Sequence, residues 1–166
     1  MVEAAILRGD YADSSLDEWL LLELHRGICA DLVPDWAGKW RDIEVRVGRL
    51  EPPAPFQLPV LMRNYALDLQ ARWSNTVESP DDLLLELLAF AEGRFLTIHP
   101  FRDFNGRTIR LFLVELLRRL DLPSVVLAAE SSADRQAYFS ALEAADESDW
   151  SPLMDIWRQR LGAMET

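Results

Sequence analysis

The sequence is poor in residues on which several classes of protein depend. It contains one lysine, Lys39, and its formal net charge at pH 7 is -11. Broad nucleic-acid-binding surfaces and surfaces for anionic membranes need clustered lysine and arginine, so the composition excludes both. A bound nucleotide is compatible with this charge, because it needs only a local basic pocket.

Cysteine and long apolar runs are also scarce. Cys29 is the only cysteine, so no disulfide can form within the chain, and an isolated cysteine in an amphipathic pattern is typical of a small buried residue. No apolar run approaches the roughly 18 residues of a membrane span, and the first residues lack a basic start followed by a long apolar core. We therefore expect a cytoplasmic protein without membrane contact.

The 166 residues and the 49% hydrophobic content predict one folded domain over residues 1–166. After a lead-in at 1–15, apolar residues recur at helical spacing, and Ser14 and Ser15 supply N-cap chemistry for the first helix. The helix beginning DDLLLELL is apolar on most sides and is expected at the centre of a bundle. The helices are predicted over 16–32, 59–73, 81–98, 105–120, 132–146 and 151–164.

One stretch has the period of a strand. Residues 43–50, IEVRVGRL, alternate apolar with charged side chains, EPPAP provides a turn, and FQLP provides a second short strand. These features predict a proline-rich β-hairpin over about residues 40–58, which we call the flap segment. The predicted fold class is all-α, a compact helical bundle with one small β-hairpin.

The densest group of reactive side chains is residues 99–110, HPFRDFNGRTIR, followed at once by the apolar run LFLVELLRRL. This order predicts a loop that enters the N-terminus of a buried helix, where free N–H groups and the helix dipole favour phosphate. His99 has a pKa near neutrality and is suited to take a proton from a hydroxyl group. Asp103 offers the hard oxygen ligands that Mg²⁺ accepts beside phosphates.

The start of this helix suggests phosphate contacts. Asn105 can cap backbone donors or donate its amide to a phosphate oxygen, and Gly106 permits close approach of the backbone. Arg107 and Arg110 lie on one helix face in the first turn. Their positive charges are unfavourable at this positive end of the helix dipole unless a bound anion or an acidic side chain neutralises them. The alternative is that they pair with surface carboxylates. The other histidine, His25, is interpreted as a helix-surface or packing residue.

The stretch HPFRDFNGRTIR resembles the active-site motif of the Fic family, HPFx[D/E]GNGRxxR. The resemblance implies a Fic fold and transfer of AMP from ATP to a Tyr, Ser or Thr hydroxyl of a target protein docked on the flap segment by strand addition. It implies that His99 is the base and Asp103 the Mg²⁺ ligand. The implied phosphate-binding residues are Asn105, Gly106, Arg107 and Arg110.

Two positions bear on the branch of the family and on its regulation. Phe104 stands where the family has glycine, so a positive φ there would be strained, and the following Asn-Gly pair is expected to absorb the bend. The Doc branch, which phosphorylates its target, has lysine at the position of Gly106, so the glycine favours AMP transfer. Ser14 to Glu18 partly matches the family's inhibitory sequence [S/T]xxxE[G/N], but helix capping is the stronger interpretation.

Several alternatives stay open at this stage. A separate antitoxin-like protein could supply the inhibitory glutamate, which would fit a toxin-like activity. The same site could use another nucleotide donor such as UTP. The chain could also be a helical interaction module whose pocket has lost activity because Phe104 blocks the phosphate loop.

Overall fold

The computed structural model describes residues 2–76, 81–127 and 131–162, and the regular structure of these residues is helical. A single turn of 3-10 helix, Pro55–Gln57, precedes the third α-helix. The described α-helices are α1 (Val2–Leu7), α2 (Glu18–Cys29), α3 (Leu58–Thr76), α4 (Asp81–Ile98), α5 (Asn105–Arg119), α6 (Ser132–Asp146) and α7 (Ser151–Gly162). The predicted helical bundle is confirmed, and the predicted end of the last helix at 164 lies outside the described residues.

Helix α4 lies at the centre of the bundle, as its apolar pattern predicts. It packs against α3, α5, α6 and α7, and its side chains Leu87, Leu88, Phe95 and Ile98 are fully buried. A helix that is apolar nearly all round must be enclosed by its neighbours, because any exposed side would leave apolar surface in water. His99 therefore follows directly from the C-terminal end of the most enclosed helix of the bundle.

The N-terminal lead-in differs from the prediction. It contains α1, which packs against α2 and α5 and buries Ile6. The cap of α2 is Asp17, whose Oδ1 accepts hydrogen bonds from the backbone N–H groups of Trp19 (3.0 Å) and Leu20 (3.2 Å), so capping by Ser14 or Ser15 is wrong. Asp17 has the extended backbone of an N-cap and immediately precedes the first helical residue.

Close contact between α1 and α2 depends on a glycine. A Cβ added at Gly27 would lie 2.5 Å from Cγ2 of Val2. Any larger residue at position 27 would therefore push α1 away from α2.

The flap segment does not form the predicted hairpin. No strand is assigned within the described ranges, and the segment has one isolated antiparallel bridge, between Val47 and Leu50, around Gly48 at φ +59°. FQLP forms the 3-10 turn and the start of α3 in place of a second strand. Prolines in this stretch remove ladder donors, and the side chain of Gln57 accepts a hydrogen bond from the N–H of Ala54 at 3.1 Å, which favours the turn.

No helix in the described part of the chain is both long enough and apolar enough to cross a membrane.

Candidate active site

The loop between α4 and α5 brings the residues of the predicted nucleotide site together. His99 leaves α4 with its N–H bonded to the carbonyl of Phe95 at 2.9 Å, and its backbone is left-handed, with φ 50°. Its ring is half-buried, and Nδ1 is a buried atom without a hydrogen-bond partner in the described residues. Nε2 is therefore the nitrogen left to meet a hydroxyl group.

The electrostatic surroundings of His99 favour a neutral ring. Burial lowers its pKa below the ordinary value of 6.5. The backbone of Leu96 and the carboxylate of Asp103 oppose this shift. The nearby guanidinium of Arg41 lowers the pKa further. A neutral imidazole at pH 7 is the form that can accept a proton.

The side chain of Asn105 stabilises the loop between α4 and α5. Its Oδ1 accepts a hydrogen bond from the N–H of Phe101 and its Nδ2 donates to the carbonyl of the same residue, both at 2.9 Å. The side chain is buried, as is that of Phe101. The Asn105 amide, which was expected to cap backbone donors or to donate to a phosphate oxygen, therefore hydrogen-bonds Phe101 and stabilises the loop. The buried side chain of Phe101 fixes this loop against the core.

Phe104 takes the strained conformation itself. It is the residue before α5 and has φ 62° and ψ 13°, so the expectation that the Asn-Gly pair would absorb the bend is wrong. Its N–H donates to Oδ1 of Asp103 at 2.6 Å, and its carbonyl accepts from the N–H and the hydroxyl of Thr108, each at 2.9 Å. The phenyl ring lies beside Trp36, with ring centroids 6.1 Å apart. These contacts hold a backbone shape for which glycine is the usual residue.

Both motif arginines are exposed, and neither pairs with a carboxylate in the part of the chain that the structure describes. Cζ of Arg107 lies 5.2 Å from the centroid of the Phe104 ring, and Nε of Arg110 donates to the carbonyl of Gly106 at 3.0 Å. Neither forms an ion pair with an Asp or Glu of the described residues, so pairing with surface carboxylates is not observed. Since α5 begins at Asn105, Arg107 lies in its first turn as predicted, whereas Arg110 lies in the second.

The space around these residues is open. A Cβ placed on Gly106 would meet no atom within 4 Å. On the arginine side, a cavity of about 630 Å³ is bounded by α1, α2, α5 and residues 125–127. His99 and Asp103 do not line it. Its lining is mainly apolar, with charged groups from Glu3, Arg107 and Arg110.

Asp103 is the acidic residue of the loop. Its side chain is exposed, and one carboxylate oxygen accepts the N–H of Phe104. Among the described residues no three His, Cys, Asp or Glu side chains gather as a metal site. A cation held here would take its other ligands from phosphate oxygens and water, which suits Mg²⁺. Glu18, the residue of the partial inhibitory sequence, is the first residue of α2 and forms no ion pair with a described arginine.

His25, interpreted from the sequence as a helix-surface or packing residue, supports the active-site loop. It is fully buried, and its Nδ1 accepts the N–H of Gly38 at 2.9 Å. The proton of the neutral ring is therefore on Nε2, which donates to the carbonyl of Asp103 at 3.2 Å. Its ring stacks on Phe101 with centroids 3.8 Å apart. Burial lowers the pKa of His25, in keeping with this neutral state.

Arg41 is the second supporting residue that the sequence did not reveal. It is 2% exposed, and its Nε donates to the carbonyl of His99 at 2.8 Å. The signal for both residues was weak because their hydrogen bonds to the active-site loop, from His25 to Asp103 and from Arg41 to His99, span 78 and 58 positions of the chain.

Comparisons with known proteins bear on the family of the chain. The sequence model of the Fic/DOC family matches residues 15–117. Protein adenylyltransferase Fic of Drosophila persimilis is 34% identical over 134 residues, which are 81% of this chain and 25% of that relative. The chain thus spans about a quarter of the length of this relative.

Two solved structures share the fold. A Fic domain containing signaling protein from Bacteroides thetaiotaomicron superposes with a TM-score of 0.75 at 24% identity, over 96% of this chain and 64% of that one. BepC from Bartonella tribocorum, solved with bound AMPPNP, gives a TM-score of 0.68 at 18% identity, over 96% of this chain and 83% of that one.

Proposed function

The chain belongs to the Fic/DOC family, and from this premise we propose that it transfers AMP from ATP to a Tyr, Ser or Thr hydroxyl of a target protein. The observation that carries the proposal is the placement of a half-buried His99, whose surroundings favour the neutral ring, at one end of a short loop and of two arginines without an ion-pair partner among the described residues on the helix that follows it. The name of the Drosophila relative and the AMPPNP bound to BepC support the donor.

The reaction divides between the two ends of the loop. Nε2 of His99 takes the proton of the target hydroxyl while that oxygen bonds to the α-phosphorus of ATP. The bond from the α-phosphorus to the oxygen that bridges it to the β-phosphate breaks, and pyrophosphate leaves. Arg107 and Arg110 hold the β- and γ-phosphates, where two guanidinium groups stabilise the charge that develops on the leaving group. The proton on His99 then passes to water.

The start of α5 holds the reacting phosphate. The N–H groups at the first turn of a helix point outward and favour an anion, and the open face of Gly106 lets a phosphate approach them. Asn105 contributes by fixing the loop through Phe101. Mg²⁺, when bound with the nucleotide, would be held by Asp103 and would offset the charge of the α- and β-phosphates.

The target is proposed to dock on the flap segment. Residues 42–44 and 46–49 of this segment are exposed, including the apolar side chains of Ile43 and Val47. Beyond the bridge between Val47 and Leu50, the backbone there is not paired with another described strand. An extended target segment could therefore pair with it, which would fix the position of the hydroxyl without dictating the target sequence.

Labelled ATP tests the activity. Label from the α-phosphate should reach protein, and label from the γ-phosphate should not. His99→Ala should abolish transfer and keep the wild-type circular dichroism spectrum, whereas Arg158→Ala, at an exposed ion pair on α7, should leave transfer unchanged. Transfer of γ label would instead indicate kinase chemistry, and competition among the four nucleoside triphosphates would identify a different donor.

The non-enzymatic alternative makes its own prediction. An interaction module whose pocket has lost activity would fail to bind Mg·ATP at millimolar concentration although the chain is folded. The open face of Gly106 and the exposed guanidinium groups of Arg107 and Arg110 favour the enzyme. Inhibition by a separate antitoxin-like protein, and a toxin-like role with it, stays a prediction.

A further inference from the structure

Arg41 holds a charge inside the fold, and Glu44 interacts with it only at a distance longer than that of an ion pair. The side chain of Arg41 is 2% exposed, and it forms no ion pair with an Asp or Glu of the described residues. A buried charge is costly unless hydrogen bonds satisfy it, so the partners of this guanidinium show what its burial achieves.

Those partners are backbone carbonyls from two parts of the chain. Nε donates to His99 at 2.8 Å, Nη1 to Ile43 at 2.9 Å and Nη2 to Pro53 at 2.6 Å. Nη2 also lies 3.5 Å from the carbonyl of Ile98. One planar group therefore joins two points of the flap segment to the end of α4.

The positive charge of Arg41 is favourable at the C-terminal end of α4. Carbonyls at the C-terminal end of a helix carry partial negative charge and attract a cation, and Ile98 is the last residue of α4. The backbone of Arg41 adds a further tie, because its N–H donates to the carbonyl of Pro100 at 2.9 Å. Arg41 thus contacts three successive carbonyls, 98 to 100, of the active-site loop.

His99 needs such support. Its φ of 50° is rare for a residue other than glycine, and strained backbone of this kind persists only where the surroundings hold it. The N–H of His99 is bonded to Phe95 and its carbonyl to Arg41, so both sides of the strained residue are fixed. The direction of the imidazole follows from that backbone.

We propose that Arg41 is a positioning residue for the transfer reaction, which fixes the His99 imidazole and the flap segment relative to each other. The inference rests on the proposed function, in which the flap segment presents the hydroxyl that His99 deprotonates. Lysine cannot replace Arg41, because an ammonium group lacks the planar fork that reaches carbonyls on separate segments at once.

The kinetic test uses Arg41→Lys, with Arg158→Lys on α7 as the matched control. At saturating ATP, kcat should fall about ten- to a hundred-fold, since small misplacement of reacting groups costs rates of this order. The affinity for Mg·ATP should stay within about two-fold, because the change touches neither Arg107 nor Arg110. Equal losses in nucleotide affinity and kcat, or wild-type kcat, would overturn the proposal.

A second measurement needs neither nucleotide nor target. The chain has two histidines, so NMR of the imidazole C–H groups gives two sets of signals, and His99→Ala assigns them. In Arg41→Lys the His99 signals should shift or broaden clearly more than those of His25, to which Arg41 forms no hydrogen bond. Unchanged His99 signals would refute the positioning role. Because the protein is free of ligand, an inactive wild type would refute the proposed function without affecting this test.

If Arg41→Lys does not fold, the hydrogen bond from Arg41 to His99 can be tested in the wild-type protein. The Nε–H of Arg41 should resist exchange with deuterium and show a through-bond coupling to the carbonyl of His99. The Nε–H of exposed Arg158 provides the comparison. Exchange of the Arg41 proton as rapid as that of Arg158 would show that the hydrogen bond does not hold His99, and the proposal would fail.

Discussion

Phe104 provides the sharpest test of the loop geometry. At φ 62° a side chain costs about 1–2 kcal/mol relative to glycine, whereas glycine loses about 0.5–1 kcal/mol more backbone entropy on folding. Phe104→Gly and Phe104→Ala both remove the ring and its contacts with Trp36 and Arg107, so these losses cancel in a comparison of the two variants. With the middle of each range, the glycine variant should therefore be more stable than the alanine variant by about 0.7 kcal/mol.

Urea denaturation measures this difference as a shift in midpoint at constant slope. For a chain of this size it corresponds to about 1–4 °C in Tm. Position 106 is the matched control, because Gly106 lies inside α5 with open space around it. There the order should reverse, with alanine more stable than glycine by up to about 1 kcal/mol. The same order at both positions, or an alanine variant at 104 as stable as the glycine variant, would refute the reasoning.

Three further predictions follow from the site and the core. Gly106→Ala should fold normally yet reduce AMP transfer at least about ten-fold, since a methyl group would occupy the face open to phosphate. Transfer of radiolabel measures the activity, and Tm shows whether the variant is folded. In the pH profile of kcat/KM, the loss of activity at low pH should have an apparent pKa below 6.5, because burial lowers the pKa of His99. Activity is then lost only as the pH falls through that lowered value and the base becomes protonated. Gly93→Ala should lower stability by about 1–3 kcal/mol in urea denaturation, since a Cβ there would lie 2.8 Å from Leu153 and 2.9 Å from Ala145.

The sequence was most informative where a helix carries its own signals. α6 was predicted at its observed limits, since Ser131 caps it and its apolar residues keep the helical period. α4 was predicted from its continuous apolar character. α1 was missed because six residues, VEAAIL, are too short for a periodic signal and have stability only through packing against α2 and α5.

The flap segment shows where pattern reasoning fails. Alternation over residues 43–50 is the signature of a strand, but a strand also needs a partner with free N–H groups, and EPPAP supplies few. The carbonyls of Ile43 and Pro53 bond to Arg41, which no local pattern could indicate. Local spacing thus predicted the segment's position and not its structure.

The candidate site, too, could be predicted from the sequence only in part. The order of residues 99–110 was enough to predict a loop entering a helix, with His99 and the arginines on its two sides. It did not predict that Asn105 would brace the loop or that Phe104 would adopt the left-handed backbone, because these depend on contacts with Phe101, Trp36 and Thr108. The supporting roles of His25 and Arg41 depend on residues distant in sequence.

The two exposed arginines at the start of α5 lie in a chain of net charge -11, and this contrast bears on how fast an anionic ligand binds. At long range the protein repels a nucleoside triphosphate, and only in the final approach do Arg107 and Arg110 attract it. Salt screens the first effect more than the second, since the Debye length is about 10 Å at 0.1 M. Association should therefore speed up when salt is first added, opposite to the behaviour of a protein that steers its ligand with a positive surface.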